Sequence, residues 1–218
     1  MNPGRAVIFD FNGTLSDDEG LLYEIYAELF ERRGRPLSRQ QYVEHLAGLS
    51  EEEILRRWLG DRDDIDELVG ERVRRYCELA DGATIGEEVR RAVRYAAARV
   101  PVAIVSGAAL VEIETVIRAA GLHDVFRVVV GADNVTRGKP DPEGYELALD
   151  QLCAMVDELE AVEVVAFEDT EAGVASAKAA GLCCVAVAGT VPRERLAQAD
   201  EIVDAIDERT VTRLLSET

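Results

Sequence analysis

Lysine is almost missing from this chain: of its 24 basic residues only Lys139 and Lys178 are not arginine. Positive charge is scarce altogether, because 43 acidic residues leave a formal net charge of −19. Such a surface repels phosphate backbones and anionic bilayers, so neither nucleic acid nor a membrane is expected as a partner. No apolar run reaches the ~20 residues that a membrane helix needs. The longest uncharged stretches, Val100–Val111 and Ala179–Pro192, are shorter and contain glycine. The first residues enter an apolar strand pattern at once, without the layout of a secretion signal, which points to the cytoplasm. Cys77, Cys153, Cys183 and Cys184 show no C-x-x-C spacing, which argues against structural zinc and disulfides and for buried free thiols. Proline and glycine (6 and 17) neither dominate nor recur with a period, so collagen-like and low-complexity chains are excluded.

What is present is apolar residues in short, β-branched blocks. At 218 residues, 48% of them hydrophobic, the chain can bury a full core in one domain or two. Arg5–Asp10 is a nearly continuous apolar run of the kind that fits a strand covered on both faces. Val100–Val105, Val128–Val130, Val162–Phe167 and Cys183–Val187 repeat it, with helical patterns at Glu112–Ala120, Glu143–Leu152 and Glu171–Ala180. Alternating strand and helix predicts right-handed crossovers and a doubly wound parallel α/β sheet.

Residues of about 16–84 break the alternation. They carry amphipathic helical patterns at Leu21–Arg33, Ser38–Leu46, Glu51–Leu59 and Ile65–Leu79 and no strand pattern, and Ser50 followed by Glu53 reads as a capping box. This predicts an inserted α-helical domain at 16–84 within a discontinuous core of residues 1–15 and 85–218.

In an open α/β sheet the site forms beyond the carboxyl ends of the strands, so the residues after each strand carry the chemistry. They are Asp10-Phe-Asn-Gly-Thr14, Ser106-Gly107, Gly138-Lys139-Pro140-Asp141 and Glu168-Asp169-Thr170. A carboxylate, a hydroxyl, a lysine and an acidic pair suit phosphoryl transfer. The carboxylate can attack phosphorus, a divalent cation on oxygen ligands offsets the repulsion between anions, and hydroxyl and ammonium groups hold the transferring oxygens.

In order and spacing these residues resemble the four motifs of the haloacid dehalogenase superfamily. The helical insert resembles the cap of the subgroup containing β-phosphoglucomutase and phosphoglycolate phosphatase. The resemblance implies a Rossmann-like core, Asp10 as the nucleophile that forms an aspartyl-phosphate, Ser106 on the phosphoryl group and Lys139 steadying both. It implies Mg²⁺ held by Asp10, Asp169 and the backbone carbonyl of Asn12, with Glu168 supporting the metal directly or through water. Gly13, Thr14 and Gly107 would line the phosphate site. The loop His45-Leu-Ala-Gly48-Leu-Ser50-Glu51 would read the substrate, a small phosphorylated metabolite.

The chain departs from the family pattern at Asn12, where its phosphatases carry an aspartate that protonates the leaving oxygen and then activates water. An amide has no titrating proton for this work, which typically contributes ~10²–10⁴-fold. Three accounts stay open: a slow phosphatase or one for good leaving groups, an aspartate changed to asparagine to trap a complex, and a phosphate-binding or regulatory protein without turnover. Asn12-Gly13 is also a deamidation-prone dipeptide that could regain aspartate. The phosphonatase branch, which uses a cap lysine, is excluded because residues 16–84 have none, and the metal-free dehalogenase branch lacks the acidic pair present here. Where the mutases place a phosphate-binding arginine and a helping histidine, this chain has Glu51 and Leu22. A bisphosphate cycle is therefore not expected, and Glu51 favours a hydroxylated or cationic leaving group. The sequence leaves oligomeric state open.

Overall fold

In a computed structural model that describes residues 4–216, six parallel strands form one sheet. They are β1 (Ala6–Phe9), β2 (Val102–Val105), β3 (Val128–Val130), β4 (Val164–Glu168), β5 (Cys183–Val187) and β6 (Glu201–Val203), in the order β3-β2-β1-β4-β5-β6. The unbroken apolar blocks follow from burial on both sides. Val7, Phe9, Ile104, Phe167 and Val185 face one cluster, whereas Ala6, Ile8, Ala103, Ala166 and Cys184 face the other. Phe9 and Phe167, paired across β1 and β4, stack with ring centroids 5.2 Å apart.

Helices α5 (Glu87–Ala97), α6 (Leu110–Ala119) and α9 (Glu208–Leu215) cover the first face, and α7 (Glu143–Cys153) and α8 (Glu171–Ala179) the second. This is the doubly wound α/β architecture that the alternating pattern predicts. Three elements were not read from the sequence, namely α5, α9 and β6. Strand β6 has three half-buried residues at the sheet edge, which leaves no apolar run to notice. The thiols are free, but Cys153 is exposed and Cys77 half-buried, so only Cys183 and Cys184 follow the expectation of burial.

Between β1 and β2 lie α1 (Glu19–Glu31), α2 (Arg39–His45), α3 (Glu51–Leu59) and α4 (Ile65–Leu79). Their apolar stripes (Leu22, Ile25, Tyr26 and Phe30 on α1; Ile54 and Leu55 on α3; Leu68 and Tyr76 on α4) pack together and join the core cluster of the first sheet face. Ser38 with Gln41 and Ser50 with Glu53 close reciprocal capping boxes that fix the starts of α2 and α3. Trp58 stacks on Phe30 and donates its indole N–H to the Arg35 carbonyl at 2.9 Å. We propose that 16–84 forms a cap on the sheet domain. In support, the outgoing and returning chain are tied together where they cross: the Ser16 hydroxyl donates to Thr84 Oγ1 at 2.8 Å, and the Asp17 N–H to the Thr84 carbonyl at 2.9 Å.

Candidate active site

The sheet order reverses at β1, with β2 and β3 on one side and β4 to β6 on the other. A crevice therefore opens beyond the carboxyl ends of β1 and β4. Asp10 follows β1, and Glu168 ends β4 with Asp169 next to it; all three are buried. One oxygen from each of these three carboxylates lies within 4.8 Å of the other two.

Lys139 is drawn into this acidic cluster from the segment before α7. Its Nζ donates to Asp10 Oδ1 at 2.6 Å, Glu168 Oε1 at 2.5 Å and the Val105 carbonyl at 3.0 Å. Burial alone would lower the Lys139 pKa, but the two carboxylates outweigh it and hold the ammonium form well beyond the usual lysine range. The segment is secured from below, because the Ser176 hydroxyl on α8 donates to the Asp141 carbonyl at 2.6 Å.

Glu168 is fully engaged. Oε1 accepts from Lys139 and from the Tyr145 hydroxyl at 2.6 Å, and Oε2 from the Asp169 N–H at 3.3 Å. Burial pushes its carboxyl up to about 7 against the pull of Lys139. Gly173 is what makes room for it: a Cβ there would stand 1.8 Å from Glu168 Oε2. Asp169 differs, since its Oδ2 is buried without a hydrogen-bond partner among the described residues, and burial plus the charges of Asp10 and Glu168 push its pKa well up. A buried orphan carboxylate oxygen beside two further carboxylates fits a hard divalent cation. Gly13 (φ 73°) lets the turn after β1 pass this oxygen, because a Cβ at Gly13 would sit 2.0 Å from it.

A cavity of about 510 Å³ opens over the cluster. Asp10, Asn12, Ser106, Gly107, Lys139 and Asp169 line its floor, and Gly48, Ser50 and Glu51 its cap side. Gly48 (φ 84°) carries the cap loop against Thr170 of the sheet domain, where a Cβ would be 3.3 Å from Thr170 Cγ2. Not every expected residue arrives. His45 is exposed and outside the cavity lining; Gly13, half-buried, and Thr14, buried, also lie outside the lining, and Thr14 Oγ1 has no hydrogen-bond partner among the described residues. Ser50 lines the cavity, but its hydroxyl is committed to the helix cap with Glu53.

Further residues enter that the sequence did not single out. Arg72 of α4 is buried between Glu51, at 2.5 Å, and Glu112 of α6, and lies over the rings of Tyr26 and Tyr76. One guanidinium serves two carboxylates, so burial pushes Glu51 up to about 7 despite Arg72, with Glu112 adding to the rise. Asn12 Nδ2 donates to Asp18 Oδ2 at 2.9 Å, and the Tyr76 hydroxyl donates to the same oxygen. Burial pushes Asp18 up to about 6. Glu19 also lines the cavity and accepts the Tyr42 hydroxyl at 3.2 Å on Oε2. The only signal for either acid in the sequence was the run Asp17-Asp18-Glu19, which reads as a solvated helix start.

The family model of haloacid dehalogenase-like hydrolases matches residues 7–187, and the chain belongs to that family. It is 31% identical over 209 residues to the validoxylamine A 7'-phosphate phosphatase of Streptomyces hygroscopicus subsp. limoneus, covering 94% of this chain and 95% of that one. A phosphorylated carbohydrates phosphatase of Thermotoga maritima is 32% identical over 186 residues, 82% of each chain. Among solved structures, CbbY from Rhodobacter sphaeroides in complex with phosphate superposes with a TM-score of 0.79 at 27% identity, over 93% of this chain and 94% of that one. The chain is thus a hydrolase of the phosphatase type.

Proposed function

We propose that this hydrolase is a Mg²⁺-dependent phosphatase that transfers the phosphoryl group of a small phosphomonoester to Asp10 and then to water, in the cytoplasm. The observation that carries the reading is Asp10 held by the Lys139 ammonium at 2.6 Å beside the unpartnered Asp169 oxygen. Lys139 orients the attacking carboxylate and offsets the charge of the incoming phosphate, and Ser106 with the Gly107 backbone can take its oxygens. Asp10, Asp169 and the Asn12 carbonyl would hold the cation, with Glu168 fixing Lys139 and the Asp169 backbone. When bound, Mg²⁺ supplies charge neutralisation between phosphate and nucleophile.

The cavity size supports a metabolite of sugar size, in keeping with the phosphorylated carbohydrates and the validoxylamine A 7'-phosphate in the relatives' names. The cap loop at Gly48, with Glu51 and Arg72 behind it, would close over the bound ester and exclude bulk water. Glu51 occupies Arg72, and Asp141 and Glu143 occupy Arg137, so neither arginine of the cavity wall is free among the described residues for a second phosphate, which favours a monophosphate with a hydroxylated or cationic leaving group. The test is phosphate release from a panel of sugar, polyol and amino-sugar monophosphates and bisphosphates, with and without Mg²⁺. Release that needs Mg²⁺ and vanishes in Asp10→Asn is expected; preference for bisphosphates would overturn the substrate class, and no release from any ester would overturn the activity.

A further inference from the structure

We propose that Glu19 carries the proton that residue 12 cannot carry. The inference rests on the phosphatase reading and goes beyond it by naming the acid and base of the reaction.

The side chain of Asn12 is committed. Its Nδ2 faces the Asp18 carboxylate, which leaves Oδ1 as an acceptor that can orient a hydroxyl or water without taking its proton. Among the described acidic residues that line the cavity, Asp10 and Asp169 belong to the phosphate and cation site. Glu51 is bound to Arg72, Glu52 to Arg56 and Asp141 to Arg137. Two acids remain without a cation. Asp66 is exposed on α4 of the cap, whereas Glu19 opens α1, seven residues beyond Asn12 in the chain, and shares the cavity wall with Asp10 and Asn12.

The surroundings of Glu19 suit an acid that must also act as a base. Burial first, then the charges of Asp18 and Asp10, push its carboxyl up to about 7, while the Tyr42 hydroxyl and the more distant Arg72 oppose the rise. Tyr42 takes Oε2, and Oε1 has no partner among the described residues. In the first step an Asp10 oxygen forms a bond to phosphorus, the bond from phosphorus to the leaving oxygen breaks, and the Glu19 carboxyl gives that oxygen its proton, directly or through one water. In the second step water attacks the aspartyl-phosphate, its proton passes to the Glu19 carboxylate, and the bond from phosphorus to Asp10 breaks. Glu19 ends protonated, as it began.

The experiment compares p-nitrophenyl phosphate with phenyl phosphate, which differ chiefly in how much the leaving oxygen needs a proton. In Glu19→Gln the ratio of kcat/KM between the two esters is expected to rise about tenfold or more over the unaltered protein. The variant should also accumulate phosphate on Asp10 by intact mass, because the water-activation step is slowed. Tyr42→Phe, which keeps the fold and removes one hydrogen bond to the carboxylate, should move the corresponding limb of the pH profile upward. An unchanged ester ratio in Glu19→Gln, including a rise in KM alone, overturns the inference and leaves the phosphatase reading standing. No phosphate release by the unaltered protein from these two esters or from the sugar, polyol and amino-sugar phosphates removes both.

Discussion

Asn12 and Asp18 form a complementary pair: the amide Nδ2 donates across 2.9 Å to a carboxylate that is itself buried and capped by the Tyr76 hydroxyl. The acid that receives this amide stands six residues beyond it in the chain. The hydrogen bond fixes the Asn12 side chain. It also restrains the Asn12-Gly13 dipeptide, since the amide is engaged and the Gly13 N–H donates to the Ser16 carbonyl at 2.8 Å.

Replacing Asn12 by aspartate should therefore not simply restore activity. It sets two carboxylates in contact in a buried turn, and removing the donor leaves Asp18 short of a partner, at a cost of about 1–3 kcal/mol. Urea unfolding at neutral pH should show this loss in Asn12→Asp. The exchange Asn12→Asp with Asp18→Asn rebuilds the hydrogen bond in the opposite sense and should recover the stability. In a Glu19→Gln background the exchanged pair should also restore turnover of phenyl phosphate, because it returns a titratable group to residue 12.

Gly173 offers a test whose sign is opposite to helix propensity. In an ordinary helix Gly→Ala stabilises by up to about 1 kcal/mol. Here the new Cβ would stand 1.8 Å from Glu168 Oε2 and force apart the contacts of Glu168 with Lys139 and Tyr145. Gly173→Ala should lower stability by about 2–4 kcal/mol, within the range for overpacking and broken buried networks. Thermal unfolding should show a lower midpoint, with phosphate release reduced in the fraction that remains folded.

The parts of this molecule legible in the sequence are those whose signal is local. The strands read as unbroken apolar blocks because both sheet faces are covered, and the Ser50 and Glu53 cap read from a spacing of three. The motif residues at strand ends read because an open parallel sheet gathers them in one crevice whatever their separation in sequence. The Arg72 ion network did not read, since Glu51, Arg72 and Glu112 sit on three helices and meet only when α3, α4 and α6 pack together. Tyr145 looks like any core aromatic until its hydroxyl is seen on Glu168. Asp18 and Glu19 were hidden in an acidic helix start, where burial of one and the cavity wall at the other are properties of tertiary structure alone.

Cation binding should be separable from catalysis at Asp169. Without a cation the Asp10, Glu168 and Asp169 carboxylates crowd one another, with only Lys139 among the described residues to offset them. Asp169→Asn relieves that repulsion, so the variant should unfold at a higher temperature than the unaltered protein in chelator. Mg²⁺ should stabilise the unaltered protein by about 2.7 kcal/mol at a hundredfold excess over its Kd, and the variant hardly at all. A thermal series in Mg²⁺ checks both statements. Equal protection of the two proteins would remove Asp169 from the cation site.

One guanidinium between two acids makes the stability of the fold depend on pH. Glu51 stands at about 7 in the folded protein against 4.5 for a free glutamate, because burial and the neighbouring Glu112 favour a proton that Arg72 only partly opposes. A folded-state pKa above the unfolded one means that the folded protein binds more protons between those two values. The contribution to stability is full below about pH 4.5, is lost as pH rises towards 7, and changes no further above it. The Glu51 side chain is only 16% exposed, so little of this is screened, and the loss should be on the order of 2 kcal/mol. Urea unfolding in chelator across that window should show the decline, and Glu51→Gln should make it shallower, leaving the slope due to Asp18, Glu19, Glu168 and Asp169, whose carboxyls are raised as well. The glutamine variant keeps a polar group toward Arg72 and gives Glu112 the guanidinium to itself, so above about pH 7 it should be the more stable protein. A slope that Glu51→Gln leaves untouched would place the titrating acid elsewhere in the chain.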